Sequence, residues 1–278
     1  MRRRLSVLLM LPVILFVCAV AASAAVPDTG FHGPRWSLGP LVATYAGPSH
    51  ADLLFRTNDI MAVMSSEPGT RLADFETGTP AGLRAYWSYR PALGLAATYS
   101  FSNYSSAETF KPLQWDSARE LSTDLHELDF TVHYGLDFVR NQKLLPYVGF
   151  GIGIVMADTN LRIDLHNTPG THVDDDDPSS PLLPDQHFDV GARDTTLAYI
   201  GLAGLIYRFG SRVALNAEMQ GVMGDIRQTF EYAGSLQHIR PSSSPENVAD
   251  WGLNDILGGS YPMDLNGVRL SIGVLVGL

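Results

Sequence analysis

The stretch Leu125-His126-Glu127-Leu128-Asp129-Phe130-Thr131-Val132-His133-Tyr134-Gly135-Leu136-Asp137-Phe138 interleaves two chemistries. From Leu128 every second residue is apolar (Leu128, Phe130, Val132, Tyr134, Leu136, Phe138), and between them stand Glu127, Asp129, Thr131, His133, Gly135 and Asp137. Successive side chains of an extended chain point to opposite faces, so this is one strand with an apolar side and a polar side. Globular strands run to about five or six residues, whereas a tilted strand crossing a bilayer needs about nine to eleven. The length and the alternation predict an all-β fold, a closed antiparallel barrel that is apolar outside and polar inside.

Seven further extended segments complete an up-and-down series, at roughly 35–46, 82–89, 92–103, 146–158, 195–209, 212–228 and 266–278. Their connections alternate in length. Tyr89-Arg90-Pro91, Arg140-Asn141-Gln142-Lys143 and Phe209-Gly210-Ser211 are short, whereas the gaps at about 47–81, 104–124, 159–194 and 229–265 are long and rich in Gly, Pro, Ser, Asp and Asn. Short turns on one rim and long loops on the other are the layout of a transmembrane barrel with periplasmic turns and external loops. The facing of two strands stays open: Gly39-Pro40 interrupts the first, and 197–207 of the sixth is apolar on both sides. Aromatic residues gather near both rims, Trp36, Trp87, Tyr89, Phe138, Tyr207 and Phe209 at one, Tyr45, Tyr99, Phe101 and Tyr104 at the other. Such rings collect at the two headgroup levels of membrane barrels.

The ends of the chain suit export. Arg2, Arg3 and Arg4 precede an apolar run from Leu8 to Val20 and small residues at 22–25, the form of a secretory signal peptide cut after Ala24; residues 25–34 then form a short periplasmic segment ahead of the barrel at 35–278. Cys18 lies within the leader, so the mature chain has no thiol and no disulfide. Removing the three leader arginines leaves 16 basic against 29 acidic residues, a balance of −13 that disfavours nucleic acid as a partner.

Three segments carry a resemblance: Pro146-Tyr147-Val-Gly-Phe-Gly-Ile-Gly-Ile154, Leu215-Asn216-Ala217-Glu218-Met219 and Gly267-Val-Arg-Leu-Ser-Ile-Gly-Val274. With them the chain resembles the small eight-stranded bacterial outer-membrane barrels of the outer-membrane protein A and X type. That resemblance implies a Gram-negative outer membrane, with lipid and lipopolysaccharide around the barrel. Its terminal strand, Val268 to Leu278, is similar to the closing strand that barrel assembly machinery recognises, though it ends on Leu278 where an aromatic residue is usual.

The candidate functional residues are of two kinds. Arg84, Glu127, Asp129, His133, Asp137 and Glu218 fall on inward phases and are expected to form a polar lumen network, because eight strands enclose a space that side chains largely fill. Gly94, Gly149, Gly151 and Gly153 leave room for a narrow solute conduit as an alternative. His133 with Asp129 or Asp137 has acid-base chemistry, as in outer-membrane hydrolases of lipid or peptide, but an interior pair lies away from such substrates. His126 reads as a belt residue, and no Gly-x-Ser-x-Gly element supplies a nucleophile. The strict spacing of two in Gly149-x-Gly-x-Gly153 belongs to one face of a strand and not to a phosphate loop.

The second kind is Asp174-Asp175-Asp176-Asp177, a candidate calcium-type site that departs from the Asp-x-Asp-x-Asp-Gly pattern and reads first as a hydrated acidic loop. Leu53, Leu54, Phe55, Ile60, Met61, Val63 and Met64 make the first loop apolar; they predict a short helix or strand extension over the barrel mouth, with a partner surface as the alternative. The expectation is a non-enzymatic barrel without cofactor, whose loops serve binding, adhesion or envelope stability and meet an extracellular or envelope protein.

Overall fold

The computed structural model describes residues 36–64, 72–75, 77–90, 92–110, 115–136, 143–167, 186–210, 212–232 and 259–278. The leader, Asp137, Phe138 and the Asp174 to Asp177 run lie outside them.

Eight strands close on themselves. They are β1 (Trp36–Ala46), β2 (Ala81–Arg90), β3 (Leu93–Phe110), β4 (Trp115–Gly135), β5 (Leu144–Asn167), β6 (Gln186–Arg208), β7 (Val213–Met223) and β11 (Gly267–Gly277). Every neighbouring pair is antiparallel, β1 pairs with β11, and β5 with β6, so the ring has no open edge. Between β1 and β2 lies helix α1 (Ala51–Met64). Past β7 the short strands β8 (Asp225–Thr229), β9 (Glu231–Tyr232) and β10 (Ser260–Asp264) continue the wall, β8 with β10 and β9 with β6.

The two open phases are now fixed. On β1, Ser37, Gly39, Leu41, Ala43 and Tyr45 point inward, so Gly39-Pro40 keeps the alternation and only brings the backbone close to β11. On β6, Ala198, Ile200, Leu202 and Ile206 are buried, while Leu197, Tyr199, Leu205 and Tyr207 are outside. Apolar character on both sides of β6 reflects two different apolar surroundings. The outer one is a belt: on β11 and the residue that follows it, Val268, Leu270, Ile272, Val274, Val276 and Leu278 are exposed. That run is roughly 33 Å of strand, or about 25 Å of height at a tilt of about 40°.

Four strands outrun the lengths read from sequence. β3 continues to Phe110 and β4 begins at Trp115, so most of the expected loop at 104–124 is a hairpin; β5 and β6 likewise consume much of 159–194. The expected loop at 229–265 holds β9 and β10. The physical reason is a reversal of polarity at constant pleat. On β5 the outward residues change from Phe150, Ile152 and Ile154 to Asp158, Asn160, Arg162 and Asp164, while the inward ones change from glycines to Val155, Ala157, Leu161 and Ile163. On β4, outward Phe130 and Leu128 give way to Asp124, Ser122 and Glu120, and inward Asp129 and Glu127 to Leu125 and Leu121. A search for outward apolar residues stops at that rung although the ladder of hydrogen bonds goes on. The same reversal corrects the rim assignment of Tyr45 and Tyr104, which are inward and buried; Tyr99 and Phe101 are outside as expected.

Candidate functional site

The interior is built in storeys. Nearest the turn rim, Leu145, Tyr147, Ile200, Leu202, Ile206 and Leu275 form an apolar layer with Tyr86 and Ala214 against it. The tyrosines lie over glycines of neighbouring strands: a Cβ on Gly94 would sit 2.0 Å from the Tyr86 hydroxyl, and one on Gly204 2.4 Å from that of Tyr147. Gly149, Gly151 and Gly153 do not line a gap either, since a Cβ there would come within 2.3 Å of Val132 O, 2.2 Å of Phe130 O and 2.6 Å of Asp129 Oδ1.

Above this layer the predicted polar residues meet, in two clusters. Arg84 on β2 reaches across to Glu218 on β7 with a two-pronged contact, Nη2 to Oε1 at 2.6 Å and Nη1 to Oε2 at 3.0 Å, and its Nε donates to Thr98 Oγ1 at 2.9 Å. Glu218 also accepts from the Tyr147 hydroxyl and from Gln220 Nε2, each at 2.6 Å. Glu127 and Asp129 on β4 are instead held by Arg269 of β11, through Nη2 to Glu127 Oε2 and Nη1 to Asp129 Oδ2 at 3.1 Å. The Arg269 guanidinium carbon lies 4.8 Å from the Tyr45 ring centre, a cation–π contact that closes the cluster from above. Planar, many-donor guanidiniums suit this role, because buried carboxylates need several directed hydrogen bonds at once.

His133 joins the Glu218 cluster rather than Asp129. Its Nε2 is 2.8 Å from Thr131 Oγ1 and 3.9 Å from Glu218 Oε2, and its ring stacks on Tyr147 at 4.6 Å between centroids. It is enclosed on all sides, which removes the contact with a substrate that acid-base work requires. Arg269, Tyr147 and Gln220 were absent from the sequence-derived set. The signal for Arg269 was present: it alternates with Val268 and Leu270 in the terminal strand and so had to face inward. The same alternation marks Gln220, two residues after Glu218 on the inward phase, and Tyr147, in step with Gly149, Gly151 and Gly153.

The third storey is apolar again, with Tyr45, Tyr104, Leu125, Val155, Ala157, Ala198, Val222, Ile226, Met263 and Leu265 packed together. Over it sits, as a plug, the described part of the first long connection; the side chains of Ile60, Met61, Val63 and Met64 lie outside what is described. Leu53 and Leu54 of α1 are buried and Phe55 is exposed, which is the predicted helix over the mouth. Asp74 ties the plug to itself, accepting from Ser49 Oγ and, at 3.2 Å, from the backbone N–H of His50. Asn58 forms a closed pair with Leu72, its Nδ2 donating to the carbonyl at 3.1 Å and its Oδ1 accepting from the N–H at 2.8 Å. One anchor of the plug in the barrel is Asn58, whose Oδ1 accepts from Arg119 Nη1 of β4 at 3.2 Å; another is His50, fully buried, with Nε2 3.1 Å from Thr123 Oγ1. Thr159 and Gln228 extend that chain to β5 and β8, the Thr159 hydroxyl donating to Gln228 Oε1 at 3.0 Å.

Burial lowers the His50 imidazole from its ordinary 6.5 to about 4, against a smaller opposite pull from Asp74. The docked plug therefore binds fewer protons than the released one, and docking is undiminished above about pH 6.5 and weakens as pH falls toward 4. At pH 4.5 the loss is roughly fifty- to a hundredfold in the docking equilibrium. Amide exchange of residues 47–58 at pH 7 and 4.5, corrected for intrinsic rates, measures it; equal protection at both values would show that His50 is not sealed in.

No family model matches the sequence, and no curated protein matches it. Among solved structures the chain is similar to the outer membrane protein OprG from Pseudomonas aeruginosa, at 12% identity and a TM-score of 0.44 over 89% of this chain and 97% of that one. It is similar to the outer membrane protein AlkL in lipid bilayers, at 11% identity and a TM-score of 0.41 over 91% and 94%, and to Neisserial surface protein A, at 13% and 0.39 over 88% and 97%.

Proposed function

We propose that this is an integral outer-membrane barrel, exported through a cleaved signal peptide, in which the barrel anchors and the loop rim meets the outside. The observation that carries the reading is the paired reversal of polarity along the strands. Where the exterior is apolar the interior holds the two ionic clusters above one apolar layer at the turn rim, and where the exterior turns polar the interior becomes an apolar core. Hydrocarbon around the first zone and water around the second account for both halves at once. A barrel in hydrocarbon must also satisfy its backbone within itself, and the described strands here form a closed ring of ladders.

The same storeys favour a non-enzymatic barrel that does not conduct. The lumen is occupied by side chains at every level, and the plug covers its mouth. Function then falls to the surface above the belt, for binding, adhesion or envelope stability, with lipopolysaccharide and an envelope or extracellular protein as partners and barrel assembly machinery acting on the terminal strand.

Four measurements test the reading. The protein should stay with membranes in alkaline carbonate and run as a compact band until heated. In a planar bilayer the purified barrel should give no discrete current steps; regular steps at neutral pH would favour the narrow-channel alternative. Incubation with phospholipid, lipopolysaccharide or peptides should leave them intact, and turnover lost on substituting His126 or His133 would favour a hydrolase.

A further inference from the structure

The wall formed by β3 to β6 rises above the ring, and its two flanks end differently. On one flank the chain covers itself: β9 pairs with β6 through Val190 and Gly191. On the other, β2 leaves β3 at Ala81, opposite Phe101, and the carbonyls of Pro80 and Gly78 accept from Ala43 and Tyr45 of β1 instead. Beyond that point β3 continues to Phe110, paired to β4 alone. The phase of the ladder shows which groups are left over. Gly135 N–H donates to Ala92 O at 2.8 Å, so the even-numbered residues of β3 exchange hydrogen bonds with β4 and the odd-numbered ones direct theirs the other way. Above Phe101 these are Asn103, Ser105, Ala107 and Thr109, whose backbone N–H and C=O groups have no protein partner among the described residues.

Sheet edges are ordinarily guarded by lysine, proline or a bulge. Here the outward side chains of all four residues are short and uncharged, and the pairing to β4 runs unbroken from Leu93 to Phe110. Behind this edge lies a groove of about 300 Å³. It starts over Ala107 and Thr109, crosses Ala118 and ends against Glu120, Arg162 and Asp164. Arg162 turns to Asp164, Nε to Oδ2 at 3.0 Å, whereas Glu120 is exposed and enters no ion pair among the described residues. An open ladder and an unmatched carboxylate one strand behind it therefore stand side by side.

We infer that β3 accepts an extended segment of an extracellular or envelope protein as an added antiparallel strand, with a lysine or arginine side chain of that segment laid in the groove. The segment's backbone completes the hydrogen bonds of Asn103, Ser105, Ala107 and Thr109, and Glu120 receives the basic group. In such a pair the residue opposite Ala107 both bonds through its backbone and points its side chain outward. That carries its charge over Ala107 toward Glu120, two strand spacings of about 4.8 Å away. Lipopolysaccharide phosphates are disfavoured here, because the group left unmatched is itself an anion. The inference rests on the reading of the upper surface as the binding surface, and names the chemistry of its partner.

The test is an amide NMR titration of the full-length mature barrel in detergent with the capped heptapeptide Thr-Val-Thr-Lys-Thr-Val-Thr. Binding with a Kd at or below about 1 mM is expected, with shifts at the amides of Ser105, Ala107 and Thr109. N-methylation of the lysine and both valines, whose N–H groups face β3, should abolish it, whereas N-methylation of the threonines between them should not. Norleucine in place of the lysine should weaken binding about three- to fivefold in the parent and leave it unchanged in Glu120→Gln. Ala107→Pro removes an N–H that β4 does not use, so the barrel should fold as before while affinity falls about tenfold or more. Heat-modifiable migration of each sample reports on the barrel separately: its loss overturns the membrane reading, and the peptide result on a folded barrel decides the edge alone. Absence of shifts at Ser105 to Thr109, equal binding of the two methylated peptides, or unchanged affinity in Ala107→Pro overturns the inference. Shifts of the same amides on concentrating the barrel without peptide would overturn it too, by giving the edge to a second copy.

Discussion

Replacing Arg269 with methionine is expected to cost the barrel about 3–5 kcal/mol or more. The guanidinium is the cation that Glu127 and Asp129 both meet, and all three residues are buried. Its removal strands two carboxylates against the Tyr45 ring and the apolar storey above. The measurement is the urea midpoint of the refolded protein in detergent, at unchanged slope. A companion with Glu127→Gln and Asp129→Asn added should recover much of the loss, because the penalty comes from unmatched charge rather than from the missing arginine itself. A loss under about 1 kcal/mol would mean that water reaches these carboxylates, and with it the sealed lumen would fail.

Leu125→Asp is expected to cost a comparable amount. Leu125 lies fully buried among Tyr45, Tyr104 and Val155, although it belongs to the same inward row as Glu127 and Asp129. Deleting a buried leucine costs about 2–5 kcal/mol, and an unmatched carboxylate in the vacated space adds to that, so expression in a folded form should drop sharply. Ser122→Asp, three residues away on the outward face, should stay within about 0.5 kcal/mol. A rule that every inward residue above the belt tolerates polarity predicts the opposite order, so the pair of midpoints tests the reversal directly.

The alternation from Leu128 to Phe138 was enough to read the barrel, its eight strands and the inward row, because the pleat has a period of two whatever the solvent. It was insufficient for strand ends. Asp158, Asn160, Arg162 and Asp164 look like a polar loop when outward is taken to mean apolar, yet they are the water-facing side of a continuing strand. The lumen set was legible one residue at a time, since Arg84, Glu127, Asp129, His133 and Glu218 each sit on an inward phase. Their pairing was not legible. Arg84 meets Glu218 and Arg269 meets Glu127 only because closure of the ring brings β2 opposite β7 and β11 opposite β4, contacts separated by 134 and 142 positions. The plug illustrates a third case: an apolar loop told of covering, and the docking of His50 on Thr123 depended on where the tall wall ended.

On the outer wall Asp124, Asp158 and Arg193 share one rung of the ladders, and that rung acts as a waterline for the whole molecule. Lowering the barrel by one step would draw those three ionisable groups toward the oily zone, and raising it would lift Leu128, Ile154 and Leu197 into water. Either shift opposes itself, by about 2–4 kcal/mol per immersed cation at mid-depth and less near the edge. A thinner or thicker bilayer should therefore bend to meet the barrel, which keeps the plug and its hairpins at a constant height above the cell surface.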